Sequence, residues 1–380
     1  MAALSSPSLP AVAAAHLSAW LAPLGVSASA FDDSLALLNP LWTVHRLHAR
    51  VVHRRAETAS ATTFELQAGP AFHGLLPGHH VMVGVDINGT RHRRAYSPRA
   101  VPGSPGRFAI TVQRQPAGLV SNHLHDHVQV GHHLEVGLPG GTFTLPVTTP
   151  PRVLLIGGGS GITPLMAMLQ HLHEHAPATR VTLIYFARSR AERIFAAQLE
   201  GLARSWPAFR YVPVDSHANT APAGSGQAGS APVLDDALLA RTAPDWARTP
   251  TWCCGPTPLM ATARALWQQA GQAGLLRLEA FAVTRPDGDP HARHAVSLRR
   301  AAHTARFDAA GHHTLLEAGE QAGLTLKHGC RQGICHECTC RLHRGTVRDL
   351  QHGTLLAGEG QTIRLCVSSA LTDLELESLG

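Results

Sequence analysis

Read by its apolar and polar positions, the chain divides into stretches of different period. Over residues 1–45, Leu17, Trp20, Leu21 and Leu24, and then Leu35, Leu37, Leu38, Leu41 and Trp42, recur at roughly helical spacing, interrupted by Pro23 and Pro40. This predicts a helical N-terminal extension packed on the domain that follows. Over 46–150 the pattern shortens to β-type runs at 50–53, 62–66, 81–85 and 108–112, separated by Pro77-Gly78, Asn88-Gly89 and Pro102-Gly103. Closely spaced strands joined by such turn dipeptides predict a small antiparallel barrel.

Pro150-Pro151 ends that stretch. The apolar run 152–156 enters Gly157-Gly158-Gly159-Ser160-Gly161-Ile162-Thr163-Pro164 and then an apolar helix reaching Leu172. A strand at 181–186, a helix at 191–202, a strand ending at Trp252-Cys253-Cys254 and a helix at 258–269 follow. Alternation of this kind predicts a Rossmann-like, doubly wound α/β domain over 151–283. Residues 216–230, rich in Ala, Gly and Ser, predict a loop inserted in it. A polar, turn-rich linker occupies 284–294. Over 295–380, strands at 296–298, 305–308, 363–366 and 374–376 with a helix over 314–322 predict one small mixed sheet carrying a helix.

A length of 380 residues and a hydrophobic fraction of 44% suit two or three folded domains. Lys+Arg 32 against Asp+Glu 26 leaves a net charge of +6, but the basic residues are scattered, Lys327 is the only lysine, and no basic run is interleaved with aromatics. A nucleic-acid partner is therefore not expected. The histidines come as pairs such as His79-His80, His132-His133 and His312-His313, without metal-closing spacing. Five of the seven cysteines lie in one stretch and the other two are adjacent, so the chain does not read as a disulfide framework, and a reducing, cytoplasmic compartment is expected. No Lys or Arg precedes Arg46, which argues against a signal peptide, and no apolar run is long enough to span a membrane.

The cysteine stretch carries the most specific chemistry. Cys330, Cys335 and Cys338 stand in a Cys-x4-Cys-x2-Cys spacing answered by a distant Cys366, the plant-type arrangement for a [2Fe–2S] cluster. Gly329 and Gly333 leave room for the backbone to wrap closely. A structural zinc site or buried reduced thiols are the plainer readings, but zinc ribbons pair two short Cys-x2-Cys knuckles. Cys340 is the extra thiol, expected to lie buried on the strand leaving the loop. The glycine run after residue 156 suits a phosphate, because close backbone approach and free helix amides favour an anion. Arg94-Ala95-Tyr96-Ser97 offers a phosphate grip, a flat stacking surface and a hydroxyl. Gly118 and the amides near Ser121 suit a pyrophosphate.

Taken in this order, Arg94-Ala95-Tyr96-Ser97, Gly118-x-x-Ser121, the 157–164 glycine loop, Cys254-Gly255-Pro256 and Glu279-Ala280-Phe281 resemble the ferredoxin–NADP reductase superfamily, with a plant-type ferredoxin domain of β-grasp type fused behind. The resemblance implies a FAD-binding barrel, FAD rather than FMN, in which Arg94 holds flavin phosphate, Tyr96 lies against the isoalloxazine and Ser97 reaches its N5. Val112, Gly118, Val120 and Ser121 complete the flavin site. It implies that Gly159, Ser160, Gly161, Thr163 and Pro164 hold the dinucleotide, that Cys254, with Gly255 and Pro256, lies beside the nicotinamide, and that Phe281 shields the flavin. Ser97 and Cys254 are the residues nearest the chemistry.

Arg188 and Ser189, after the second parallel strand, replace the acidic residue of an NAD site and favour NADPH over NADH. The function implied is an NAD(P)H-dependent reductase passing electrons through flavin and cluster to a partner protein. The 39–42 segment, Asn-Pro-Leu-Trp, together with 118–124, looks most like the reductases of fatty-acid desaturases, whose acceptor would be membrane-bound. Reductases of aromatic or CoA-thioester multicomponent oxygenases share the core motifs. A redox-sensing or zinc-binding regulatory module is the reading from another class. Residues 284–293 extend to about 33 Å, enough for the last domain to swing between flavin and acceptor.

Overall fold

The computed structural model describes residues 28–43, 46–216, 233–281, 288–289, 291–300, 303–351 and 353–379. Most of the N-terminal extension and of the inserted loop at 216–230, and residues 284–287 and 290 of the linker at 284–293, lie outside these residues. The chain forms two compact units, 1–279 and 280–380.

The first unit opens with helix α1 (Ala28–Leu38), and a short turn over Pro40–Trp42 follows it, with the Asn39 carboxamide accepting from Leu41 N–H at 3.0 Å. Seven strands then make one curled antiparallel sheet: β1 (His48–Ala56), β2 (Ala61–Ala68), β3 (Val81–Ile87), β4 (Thr90–Tyr96), β5 (Pro98–Ala100), β6 (Arg107–Gln113) and β7 (His133–Val136). Their order is β4-β3-β7-β1-β2-β6-β5. Inward residues such as Val51, Phe64, Leu66, Val81, Val83 and Ile110 fill its core. Asn88 (φ 51°) and Gly89 (φ 75°) are both left-handed, the conformation a two-residue hairpin turn between β3 and β4 demands. Helix α2 (Leu119–His127) seats Val120 and Leu124 on this core.

A five-stranded parallel sheet follows: β8 (Arg152–Gly158), β9 (Arg180–Ala187), β10 (Phe209–Asp215), β11 (Thr251–Cys254) and β12 (Leu276–Glu279), in the order β10-β9-β8-β11-β12. Continuous apolar runs such as Val153–Ile156 suit strands buried on both faces. Helices α3 (Ile162–His175), α4 (Ala196–Ser205), α5 (Asp236–Thr242) and α6 (Thr257–Gln269) accompany it. The helix expected over 191–202 is divided. A short turn over Arg190–Glu192 comes first, and α4 begins only after Phe195, which sits left-handed at φ 63° with its ring buried.

The second unit has a five-stranded mixed sheet, β14-β13-β20-β15-β18, made of β13 (Arg293–Arg300), β14 (His303–Ala310), β15 (Thr339–Arg344), β18 (Gln361–Arg364) and β20 (Leu374–Ser378). Here β13 and β20 run parallel and the other neighbours antiparallel. A small second sheet joins β16 (Thr346–Asp349), β17 (Leu355–Ala357) and β19 (Ser368–Ala370). Helix α7 (Leu315–Gln321) starts in a capping box, Thr314 accepting from Glu317 N–H and Glu317 from Thr314 N–H. It buries Leu315, Leu316 and Ala318 against Val296, Leu298, Leu342, Ile363 and Leu376. The strand expected at 363–366 stops at Arg364, and Cys366 sits on the following 3₁₀ turn, Leu365–Val367.

Candidate functional site

On the curled sheet, Arg94 and Tyr96 stand two apart on β4, so they share a face. Tyr96 packs against the core, and burial raises its phenol well above the ordinary value, keeping it neutral. Ser97 joins β4 to β5. It is 5% exposed, and its Oγ has no hydrogen-bond partner among the described residues. An unsatisfied buried hydroxyl costs free energy, so this one fits a site completed by a polar ring edge. Gly118 caps α2. A Cβ there would fall 2.5 Å from Ser121 Oγ, which accepts from Gln115 N–H and donates to Gly118 O. Ser121 thus shapes the helix entry, where first-turn amides have no helical partner and can meet an anion. Val112 is buried within β6.

His125 was not anticipated. Its Nε2 lies 2.9 Å from Val112 O, so that nitrogen carries the proton, and Nδ1 lies 3.4 Å from the Thr62 hydroxyl. Burial lowers its pKa, holding the neutral ring that this pairing needs. It pins α2 to β2 and β6 across a sequence gap that no local pattern reveals.

In the parallel sheet, two motifs far apart in sequence meet at the strand ends of β8 and β11. A Cβ on Gly161 would sit 2.1 Å from Cys254 O, one on Gly158 would sit 2.6 Å from Pro256 Cδ, and one on Gly255 would sit 3.0 Å from Gly158 Cα. Glycine is required because backbone packs on backbone. Because β9 and β11 flank β8 on opposite sides, this is the switch point at which open α/β sheets bind ligands. Gly159 turns left-handed (φ 53°), and Thr163 Oγ1, in the first turn of α3, donates to Ser160 O at 2.9 Å, tying the helix start to the loop before it.

Cys254 is fully buried. Burial, then neighbouring Glu279 and Cys253, push its thiol up, so it stays protonated. Glu279, its partner across β11 and β12, is held up to about 8 by burial, and its Oε2 has no partner among the described residues. Arg188 and Ser189 follow β9. The Arg188 side chain is exposed, with Nη1 3.7 Å from Glu192, an acidic neighbour that the sequence reading overlooked.

The second unit gathers the cysteines. Cys330 Sγ accepts backbone N–H groups from Gln332, Ile334 and Cys335 at 3.3–3.4 Å, and Cys335 Sγ accepts Cys330 N–H at 3.2 Å. The thiols associate as two pairs. The Cys335 thiol, helped by those amides, lowers Cys330 to about 6, and the Cys366 thiol lowers Cys338 to about 7. Cys366 also feels Cys330 electrostatically, so the pairs adjoin. Among the described residues no His, Cys, Asp or Glu group is arranged for a single metal ion. Two adjoining thiol pairs fit a two-iron cluster, two thiolates for each iron. Cys340, on β15, is a core thiol pushed up to about 12 by burial.

The loop is braced by side chains. Arg331 forks onto Glu320 of α7, Gln351 Nε2 donates to Gln332 O at 2.6 Å, and Gln332 Nε2 donates to Phe281 O at 2.6 Å. Arg364 donates to Gly333 O and pairs with Asp349 at 3.4 Å. Leu365 N–H on the Cys366 turn donates to Cys338 O at 3.1 Å.

An oxidoreductase FAD-binding domain model matches residues 48–145, an oxidoreductase NAD-binding domain model residues 155–265, and a 2Fe-2S iron-sulfur cluster binding domain model residues 300–371. The chain is 35% identical to an NADPH oxidoreductase of Mycobacterium tuberculosis over 352 residues, 91% of this chain and 88% of that one. It is 29% identical to the glycine betaine monooxygenase reductase subunit of Chromohalobacter salexigens, over 88% and 96% of the two. Its fold resembles that of phthalate dioxygenase reductase, with a TM-score of 0.58 at 24% identity, covering 88% of this chain and 98% of that one. Among the described residues no helix is long and apolar enough to cross a membrane.

Proposed function

Since the chain belongs to the ferredoxin–NADP reductase superfamily and ends in a [2Fe–2S] domain, with FAD, NAD(P)H and the cluster as its cofactors, we propose that it draws on NADPH to supply single electrons to a separate desaturase or oxygenase. The observation that carries this reading is the two adjoining thiol pairs in a unit that follows, along the chain, a flavin-type barrel and a dinucleotide-type sheet. When bound, the flavin would supply acceptance of the two electrons and proton of a hydride and release of those electrons one at a time, and the cluster would supply one-electron carriage.

The chain's own part is to bind, orient and exclude water. Arg94 and the entry to α2 would hold flavin phosphates, Tyr96 would cover the ring, and the Ser97 hydroxyl would find in the ring edge the partner it lacks. The glycine loop would receive the dinucleotide pyrophosphate. Cys254 and Glu279, both protonated near neutrality, would keep charge away from the nicotinamide site. Cys330, Cys335, Cys338 and Cys366 would ligate the cluster, with the 332, 334 and 335 amides steadying the Cys330 sulfur.

NADPH preference rests on Arg188, exposed and only loosely paired with Glu192. Arg188→Ala should raise the Michaelis constant for NADPH about tenfold and leave that for NADH nearly unchanged. Equal effects on the two would defeat the assignment.

A desaturase acceptor is favoured by the 39–42 turn and the 118–124 segment. An oxygenase acceptor is favoured by the names of relatives, glycine betaine monooxygenase reductase subunit and phthalate dioxygenase reductase. The test is NADPH-driven turnover with a membrane desaturase reconstituted in vesicles against a soluble oxygenase component. Support of the desaturase alone favours the first, support of the oxygenase alone the second, and turnover with neither, although cytochrome c is reduced, contradicts both.

A further inference from the structure

The phosphate loop is held by more than its own glycines. Tyr185, on β9, is fully buried, yet its hydroxyl is bonded on both sides. It donates to Gly159 O at 3.1 Å and accepts from Ile194 N–H at 3.1 Å. Burial raises the phenol, so the proton it donates stays in place. Gly159 itself has no close packing: a Cβ there would meet nothing nearer than Gln113 Oε1 at 4.0 Å. Ile194 leads into Phe195, whose left-handed backbone is costly for an aromatic residue and persists only where its surroundings fix it.

Those surroundings come from the barrel. The Arg99 guanidinium carbon lies 5.5 Å from the centre of the Phe195 ring. Arg99 is 6% exposed, and its Nε has no partner among the described residues, so the ring face is a substantial part of what receives it. It stands on β5, two residues past Ser97. A continuous line of contacts therefore runs from the strand beside Ser97 through Arg99, Phe195, Ile194 and Tyr185 to the Gly159 carbonyl.

We propose that Tyr185 is a positioning residue for the dinucleotide, the end of a strut through which the barrel strand beside Ser97 sets the position of the glycine loop. This rests on the reading that the 157–164 loop binds the pyrophosphate. That group is common to NADPH and NADH, so loss of the strut weakens both alike, unlike loss of Arg188.

The experiment is calorimetric titration of the flavin-loaded, full-length protein with NADP+ and with NAD+. Wild-type protein that binds neither overturns the functional reading and the strut with it. Given wild-type binding, Tyr185→Phe keeps the buried ring and removes only the hydroxyl. Both Kd values should rise about fivefold, with flavin content and visible spectrum unchanged. Arg99→Met should raise both about threefold. In the double variant the Kd values should match those of Tyr185→Phe alone, because a strut cut once is not cut again. Values within about twofold of wild type in Tyr185→Phe, a loss confined to NADP+, or effects that multiply in the double variant would each overturn the proposal.

Discussion

A methyl group added at Gly161 would fall 2.1 Å from Cys254 O. At Arg331 in the cysteine loop, where it is the left-handed backbone at φ 57° that would favour glycine, a long side chain is present and forks onto Glu320. The two loops hold a tightly wound backbone by different physics. The glycine loop omits side chains so that main chain packs on main chain at a strand switch point. The cysteine loop accepts left-handed Arg331 and His336 and spans its interior with Glu320, Gln351, Arg364 and Asp349. The first should be intolerant of added atoms, and the second of lost bonds and ligands.

The largest expected effect is on the cysteine loop. Removing one thiolate leaves an iron short of a ligand, so Cys335→Ser should lose most of its cluster iron while the flavin part still reduces a two-electron dye with NADPH. Cys340→Ser, a change in the core rather than in the pairs, should keep its iron. Iron analysis decides, and loss of iron in Cys340→Ser but not in Cys366→Ser would contradict the pairing described above.

For the glycine loop, Gly161→Ala should cost about 3 kcal/mol of stability through overpacking and weaken NADP+ binding at least about tenfold. Denaturation and titration of the variant measure both. Wild-type values would mean that the loop yields, and the contrast between the two loops would fail.

The contrast also bears on what the sequence makes legible. Cysteine spacing is explicit, because ligand chemistry fixes residue type and interval together, and the alternation of strands and helices announces the parallel sheet. Bracing residues are not legible in this way. Tyr185 reaches Gly159 and His125 reaches Thr62 only because distant strands are neighbours. The periodicity at 191–202 is that of one helix, since the left-handed turn at Phe195 is set by tertiary contacts and not by local propensity. Cys366 likewise has the sequence setting of a strand residue, because a 3₁₀ turn and a strand end share the same apolar signature.

A smaller effect separates the β11–β12 edge from both loops. Buried Glu279 is raised to about 8 from 4.5, so the folded chain retains a proton that the unfolded chain releases. Stability from this source is full below the unfolded value and is lost as pH rises through about 8. Glu279→Gln should flatten urea midpoints between about pH 5 and pH 8 and exceed wild type at the alkaline end. An unchanged slope would place the titration elsewhere.

A chain that holds a flavin and a two-iron cluster should have both reduced by NADPH. An anaerobic NADPH titration followed by visible absorbance, with acid extraction of the flavin and iron analysis, tests it most directly. About one FAD and two irons per chain are expected, with flavin bands over broad cluster absorbance and bleaching of both by NADPH. A colourless zinc-containing protein, or a coloured one whose iron absorbance NADPH leaves untouched, would contradict it.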